Sequence, residues 1–132
     1  LDVGDVRIGV AVSDPTRTIA QPLEVYRRIG YGPDARYFRA LCDRYQTADV
    51  LLGLPLNMDG SRGPQAEKVL AFGAKLSEAG LTVIYWDERM TTVTAERALI
   101  AGGVRRDERK NYVDKLAATV ILEQWLAAGG KA

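Results

Sequence analysis

The sequence contains no histidine, and its single cysteine is Cys42. One cysteine excludes an internal disulfide, and without histidine no catalytic site can be built on an imidazole. No apolar run approaches the roughly 18 residues of a membrane span, and no signal peptide is visible. We therefore expect a cytoplasmic protein that has no membrane partner.

A strong excess of charge of one sign is also lacking. The 18 Lys and Arg residues nearly balance the 17 Asp and Glu residues, which leaves a net charge of +1. Any contact with nucleic acid must therefore come from a local basic patch rather than from overall charge. The length predicts a single domain over residues 1–132. The chain does not begin with Met, and residues 1–3 resemble the end of an apolar strand, so we expect the start of the first strand to be missing.

Turn signals and apolar periodicity divide the chain into strands and helices. The predicted strands are at about 1–3, 8–13, 18–26, 49–55 and 82–86, and the predicted helices at about 34–46, 64–79, 92–101 and 113–128, with a charged loop at 104–111. Pro22 marks an irregularity or an edge position in the third strand. This order predicts an α/β fold with a mixed central sheet, a three-stranded antiparallel meander plus parallel strands, flanked by α-helices.

Carboxylates stand where strand ends or helix starts are expected. Asp2 lies in the first strand beside a turn, Asp87 and Glu88 follow the last strand, and Asp114 begins the last helix. Divalent cations such as Mg²⁺ prefer oxygen ligands, and a pair of such ions can hold both reacting oxygens in phosphodiester cleavage. Each acid also has a structural interpretation. Asp2 could cap a turn, and Asp114 could interact with the helix dipole. Asp87 and Glu88 could lie in a loop that leads into a helix capped by Thr91 or Thr92, with Glu88 paired with Arg89.

Polar and basic residues neighbour these acids along the sequence. The candidate nucleic-acid-binding residues are Asn57, Arg62, Arg89, Arg105, Arg106, Arg109 and Lys110. An Asx turn is an equally good interpretation of Asn57, and a solvated loop is the default for 105–110, where two acids dilute the charge. If that loop faces the acids, it supplies phosphate contacts and salt-sensitive binding.

Four motifs follow one another along nearly the whole chain. They are LDVG at 1–4 with RIGVA at 7–11, GLPLNMDG at 53–60, DERMTT at 87–92 and VDKLAA at 113–118. Together they resemble the YqgF (RuvX) family of Holliday-junction-resolvase-like proteins and pre-16S rRNA nucleases. The resemblance implies an RNase H-like fold with a metal-dependent nuclease site. It implies catalytic acids at Asp2, at Glu88 or Asp87, and at Asp114, with Asp2, Glu88 and Asp114 as the ligands of Mg²⁺ or Mn²⁺.

These observations predict a metal-dependent endonuclease of structured nucleic acid, with an rRNA precursor in pre-16S rRNA processing as substrate. One alternative is a Holliday junction resolvase acting on branched DNA. It would be a two-fold homodimer, whereas a monomer favours RNA processing. A second alternative is a non-catalytic nucleic-acid-binding domain. Phosphotransferases of the actin and sugar-kinase type also open with an Asp-x-Gly hairpin, but they need two domains, and 132 residues supply one.

Overall fold

The computed structural model describes residues 1–87 and 106–130, and within 106–115 it describes the backbone but not the side chains. Its elements, in chain order, are β1 (Asp2–Val3), β2 (Arg7–Ser13), β3 (Ala20–Arg27), α1 (Tyr31–Arg44), β4 (Asp49–Leu54), α2 (Pro64–Glu78), β5 (Thr82–Asp87) and α3 (Arg106–Ala127). The predicted α/β fold is confirmed. The helix predicted at 92–101 lies outside the described residues.

The strands combine into one mixed sheet whose two halves meet at β1. Strands β1, β2 and β3 form an antiparallel meander, and β4 pairs in parallel with β5. Leu1 N donates to Leu51 O at 2.6 Å, and Leu1 O accepts from Gly53 N at 3.1 Å. These two bonds have the pattern of a parallel ladder between β1 and β4. The order across the sheet is therefore β3-β2-β1-β4-β5, and β1, β4 and β5 end at the same side, which we call the carboxyl edge.

The outer strand β3 carries the irregularity that Pro22 predicted. Pairing between β2 and β3 shifts after Val10, which faces Glu24, whereas Ala11 faces Pro22. Leu23 is thus an extra residue in β3, as in a β-bulge. Proline is tolerated in β3 because this strand lies at the edge of the sheet.

The two faces of the sheet are covered by different helices. Leu52 packs with Phe38 of α1 and Phe72 of α2 in the larger core. Leu51 points the opposite way and packs with Trp125 of α3 in a second core. Because neighbouring strand residues face opposite sides, the strand positions outside the bulge can each be assigned to one face. We call them the α1/α2 face and the α3 face.

Helix α2 ends at the glycine that the sequence predicted as its stop. Leu81 N donates to Leu76 O at 3.1 Å and Gly80 N donates to Ser77 O at 3.0 Å. This pair of bonds is a Schellman motif, and Gly80 has the positive φ of 93° that the motif needs. The chain can therefore reverse directly from α2 into β5.

Helix α3 begins earlier than the sequence predicted. Residues 106–111 were expected in a charged loop, but the helix starts at Arg106. Arginine, lysine and glutamate are good helix formers, and acids at positions 107 and 108 suit the positive end of the helix dipole. The loop prediction for these positions was wrong because it treated high charge as a sign of a loop.

The contacts of Arg17 show the direction of α3 relative to the sheet. Arg17 donates to Gly130 O at 3.1 Å, just after the helix, and pairs with Asp49 at 2.5 Å, at the start of β4. The last turns of α3 therefore lie near the amino end of β4. The helix runs antiparallel to β4, and its earlier turns lie towards the carboxyl edge.

A cavity of about 350 Å³ lies away from the carboxyl edge. Its lining includes Ser13 at the end of β2, Tyr45 after α1 and Asp49 at the start of β4. Neither Asp2 nor Asp87 lines this cavity. In the part of the chain that the structure describes, no helix is long and apolar enough to cross a membrane.

Candidate active site

Asp2 lies at the carboxyl edge on the α3 face. It is half-buried and pairs with Gly9 of β2. Its neighbours Leu1 and Val3 pack in the core of the α1/α2 face. Alternation along the strand therefore turns the Asp2 carboxylate towards α3.

The turn after β1 is tightly held. Gly4 N donates to Arg7 O at 2.9 Å, and Arg28 Nη1 donates to Gly4 O at 2.9 Å. A Cβ at Gly4 would lie 2.8 Å from Arg7 O, so a larger residue would force this turn open. The backbone two residues after Asp2 is thereby tied to Arg28.

Arg28 is in turn held by Asp34, a carboxylate with no exposed surface in the first turn of α1. Asp34 accepts from Tyr26 Oη at 2.8 Å, from Ile29 N at 2.9 Å and from Arg28 Nε at 3.1 Å. Burial acts to raise the pKa of Asp34, but these hydrogen bonds outweigh it and hold the pKa below its usual value. Burial of the Tyr26 hydroxyl and its hydrogen bond to the Asp34 carboxylate raise the pKa of Tyr26 to about 12.

This network also explains where α1 begins. The sequence placed the helix start at about Asp34, whereas α1 starts at Tyr31 with Gly30 as its N-cap. The Asp34 carboxylate reaches back to the backbone N–H groups of Ile29 and Gly30, at 2.9 and 3.4 Å. It caps the helix from inside the first turn rather than from the N-cap position.

Asp87 reaches the carboxyl edge on the face opposite to Asp2. Val83 of the same strand packs in the core of the α1/α2 face, and a Cβ at Gly73 of α2 would meet the Tyr85 hydroxyl. Positions 83, 85 and 87 share one face of the strand, so Asp87 lies on the α1/α2 face. The structure thus brings Asp2 and Asp87 to the same edge but not to the same face. Glu88, the other candidate, lies outside the described residues.

The backbone position of Asp114 lies on the side of α3 that packs against the sheet. It precedes Ala117 and Ala118 by three and four residues, and these alanines are 0% and 1% exposed. Small residues here let the helix backbone approach the sheet closely. Since earlier turns of α3 lie towards the carboxyl edge, the backbone of Asp114 is one turn nearer to that edge than the two alanines. Its side chain lies outside the described part of the chain.

Asn57 is engaged in its own loop. Asn57 N donates to Ser61 O at 2.8 Å, and Asn57 Nδ2 donates to Ser61 Oγ at 2.9 Å. Asp59 Oδ1 accepts from Ser61 Oγ at 2.6 Å, and Leu56 and Arg62 form a bridge that closes the loop. Ser61 N donates to Asp59 Oδ1 at 2.9 Å, so the Asx turn of this loop is formed by Asp59, whereas Asn57 takes part in a backbone turn in which its O accepts from Gly60 N at 2.8 Å. Arg62 stands exposed at the end of the loop.

The other predicted nucleic-acid-binding residues are only partly described. Arg89 and Arg105 lie outside the described residues, and Arg106, Arg109 and Lys110 belong to the first turns of α3, where the side chains are not described. Their predicted role therefore stays a prediction.

The register reveals a basic pair that the sequence interpretation missed. Arg7 of β2 faces Arg27 of β3. Their neighbours Ile8 and Tyr26 pack in the core of the α1/α2 face, so both arginines lie on the α3 face with Asp2. Arg7 belongs to the first motif, but only the strand pairing shows which residue stands opposite it.

The donor types of the candidate acids fit a hard divalent cation. Among residues whose side chains are described, no group of three or more acids, cysteines or histidines could hold a metal ion. Of the predicted ligands, Asp2 is described, whereas Glu88 and the side chain of Asp114 are not. All three are carboxylates, the oxygen donors that Mg²⁺ and Mn²⁺ take.

Comparisons with known proteins show which family this chain resembles. The RuvX family model, described as Holliday junction resolvase, matches residues 1–128. A protein of Caldanaerobacter subterraneus subsp. tengcongensis named "Putative pre-16S rRNA nuclease" is 49% identical over 128 residues, which cover 96% of this chain and 92% of that protein. Proteins with the same name from Desulforamulus reducens and Clostridium kluyveri are 47% and 44% identical, over 99% and 96% of this chain and 96% and 93% of their own lengths. The RuvX family is RNase H-like, so the predicted fold is confirmed.

Proposed function

This chain belongs to the RuvX family, and on that premise we propose that it is a metal-dependent endonuclease that processes a structured rRNA precursor. The substrate follows from its relatives, which are named for pre-16S rRNA. The observation that carries the proposal is the position of Asp2. Asp2 is half-buried at the carboxyl edge, on the face of the sheet that α3 covers. The backbone of Asp114 lies on the side of α3 that packs against this face.

We propose Asp2, Glu88 and Asp114 as the metal ligands. The choice of Glu88 over Asp87 rests on the faces of the sheet: Asp87 lies on the α1/α2 face, opposite to Asp2. A carboxylate on the face of Asp2 is better placed to share an ion with it than one on the opposite face, because successive strand side chains point to opposite sides of the sheet.

The residues of this chain would contribute by holding the metal-binding carboxylates in fixed positions. When bound, Mg²⁺ or Mn²⁺ supplies a Lewis acid for the phosphate and lowers the pKa of a water. Asp2 would hold its carboxylate in place through β1, which is bonded on both sides by β2 and β4. The bonds of Gly4 to Arg7 and Arg28 would keep the following turn from moving during the reaction. Such a pre-organised site lowers the activation barrier for cleavage, because its residues need to move little to reach the transition state.

Branched DNA is the second candidate substrate. It is favoured by the description of the family model as Holliday junction resolvase. A junction resolvase makes two symmetric cuts and should act as a two-fold dimer. Sedimentation of the protein with and without a four-way junction therefore separates the two substrates: a dimer on the junction favours resolution, and a monomer active on RNA favours processing.

A cleavage assay tests the proposed site. A pre-16S rRNA fragment and a four-way DNA junction are each incubated with the protein in Mg²⁺, Mn²⁺ or EDTA. We expect metal-dependent cleavage by the wild type and a loss of at least about 100-fold for Asp2→Asn and Asp114→Asn, since each removes a charged ligand. Asp5→Asn is the matched control, because Asp5 is an exposed acid in the adjacent turn that pairs with Lys68 at 3.2 Å.

A second comparison tests the choice within the middle motif. We expect Glu88→Gln to lose cleavage and Asp87→Asn to retain most of it. The reverse result would show that the ligand comes from the other face of β5. Undiminished cleavage by both Asp2→Asn and Asp114→Asn would refute the site altogether.

A further inference from the structure

We infer that Val6, Ile29 and Tyr31 form a stacking platform for unpaired nucleotides of the RNA substrate, beside the candidate site. The inference rests on the proposed function and deepens it, because it names the kind of strand that reaches Asp2. It assigns to this chain a preference for RNA in which a single-stranded stretch adjoins a paired region, over RNA that is fully paired.

Three exposed apolar side chains lie together at the carboxyl edge. Ile29 is 78% exposed, Val6 54% and Tyr31 41%. Arg28 N donates to Val6 O at 2.9 Å, which brings the turn between β1 and β2 against the residues that follow β3. Ile29 is the next residue in the chain, and Tyr31 begins α1 two residues later. Single exposed apolar residues are common on soluble proteins, whereas contiguous ones are typical of an interaction site.

The ring of Tyr31 is supported from its inner side. The Arg28 guanidinium lies over the ring, 5.2 Å from its centre. The Phe72 ring is stacked with it at a centroid distance of 6.3 Å and an angle of 28°. Arg28 is itself held by Asp34 at 3.1 Å. The exposed part of the Tyr31 ring therefore faces outward on a fixed support, so a base can stack on it with little ordering of the protein.

The platform is connected to the candidate site through Arg28. Arg28 Nη1 donates to Gly4 O at 2.9 Å, and Gly4 follows Asp2 by two residues. Since a strand rises about 3.3 Å per residue, the Tyr31 ring lies no more than roughly 20 Å from the Asp2 backbone. A few nucleotides of single strand span that distance. Their path passes over the turn between β1 and β2, at the end of the sheet, and not across the face that α3 covers.

A positive charge borders the platform. A Cβ at Gly32 would lie 3.5 Å from Arg36 Nη1, so the exposed Arg36 reaches back to the first turn of α1 beside Tyr31. Among the side chains that the structure describes, Arg36 has no carboxylate partner. An aromatic surface with a cation at its rim suits a single strand, whose bases stack while its phosphates contact the cation. This combination favours nucleic acid over an apolar protein partner.

Binding to two RNA hairpins tests the platform apart from cleavage. The hairpins are identical except that one carries a single-stranded extension of about four nucleotides, and both are labelled with fluorescein. They are titrated with the protein in EDTA, and fluorescence anisotropy gives the two dissociation constants. We expect the wild type to bind the extended hairpin at least about 5-fold more tightly, which corresponds to the stacking of one base.

Two variants remove the platform. We expect Tyr31→Ala and Ile29→Ser to lose most of the gain from the extension and to bind the blunt hairpin as the wild type does. Tyr31→Phe should keep the gain, because the ring remains. A folding defect would weaken binding to both hairpins, whereas loss of the platform weakens binding to the extended one alone. Ile29→Ser should also leave the thermal midpoint unchanged, because Ile29 is largely exposed.

Each variant has a matched control at the opposite end of the molecule. Tyr45, which follows α1, is 41% exposed like Tyr31, and Ile19, which precedes β3, is 57% exposed. Both positions lie away from the carboxyl edge. We therefore expect Tyr45→Ala and Ile19→Ser to keep the full preference for the extended hairpin.

The outcomes separate the inference from the proposed function. If the wild type binds both hairpins equally, or if Tyr31→Ala and Ile29→Ser keep the preference, the platform is wrong and the proposed function stands. The inference is also overturned if sedimentation shows a wild-type dimer that both variants lose, while their RNA preference is unchanged, because a second copy then occupies the patch. If the wild type binds neither hairpin nor a four-way DNA junction, the proposed function falls and the inference falls with it.

Discussion

Replacement of Asp34 by alanine should destabilise the protein more than any surface change in α1. The Asp34 carboxylate is fully buried and accepts hydrogen bonds from the Tyr26 hydroxyl, the Arg28 guanidinium and two backbone N–H groups. Arg28 is itself 13% exposed, and its guanidinium lies 5.0 Å from the centre of the Phe72 ring. The variant would leave a largely buried cation without its counter-ion and several donors without an acceptor.

The expected cost is about 3–5 kcal/mol, the range for removal of one partner of a buried ion pair. A domain of this kind has a total stability of roughly 5–15 kcal/mol, so the loss is a large fraction of it. The matched control is Asp43→Ala in the same helix. Asp43 pairs with Arg39 at 3.4 Å, but both side chains are about half or more exposed. Such a surface pair contributes at most about 0.5 kcal/mol.

Urea unfolding followed by tryptophan fluorescence measures both variants. The pH dependence gives an independent check. The pKa of Asp34 is lowered in the folded state, so its contribution is present above the ordinary aspartate value of about 4 and is lost as the pH falls below it. The difference between wild type and Asp34→Ala should therefore shrink in acid. A cost below about 1 kcal/mol at pH 7, or a difference that grows in acid, would refute this account of the buried pair.

Two further predictions concern local backbone structure. Gly80→Ala should lower stability by about 1–2 kcal/mol in urea unfolding, because its φ of 93° is unfavourable for a residue with a Cβ; an unchanged midpoint would contradict the role of this glycine in the Schellman motif. The Asp14 carboxyl should titrate with a pKa of about 2 rather than 3.8 in NMR, because hydrogen bonds from Ile19 N, the Thr16 hydroxyl and Thr18 N favour its charged form. Stability from this group is then lost only as the pH falls below about 4 towards 2, and a Thr16→Val variant should move the pKa upward.

The elements of this fold were largely predictable from local patterns. The strand at 49–54 follows from an almost continuous apolar run, and the end of α2 follows from Gly80. The predictions failed at two helix starts, where a local signal was misread. Helix α1 begins before Asp34 because that carboxylate bonds backwards into the chain, and α3 extends over a charged segment that composition alone assigned to a loop.

The sequence by itself determined which catalytic groups are present: it contains carboxylates and no histidine. It also determined the order of the motifs that identify the RuvX family. It could not decide which neighbouring acid faces Asp2, because a shift of one residue moves a strand side chain to the other face. The tertiary structure shows through register that Asp2 turns towards α3 and Asp87 turns away from it, whereas Glu88 lies outside the described residues. It also brought Arg7 opposite Arg27, a pairing that depends on the bulge and length of the β2–β3 hairpin and that no local pattern encodes.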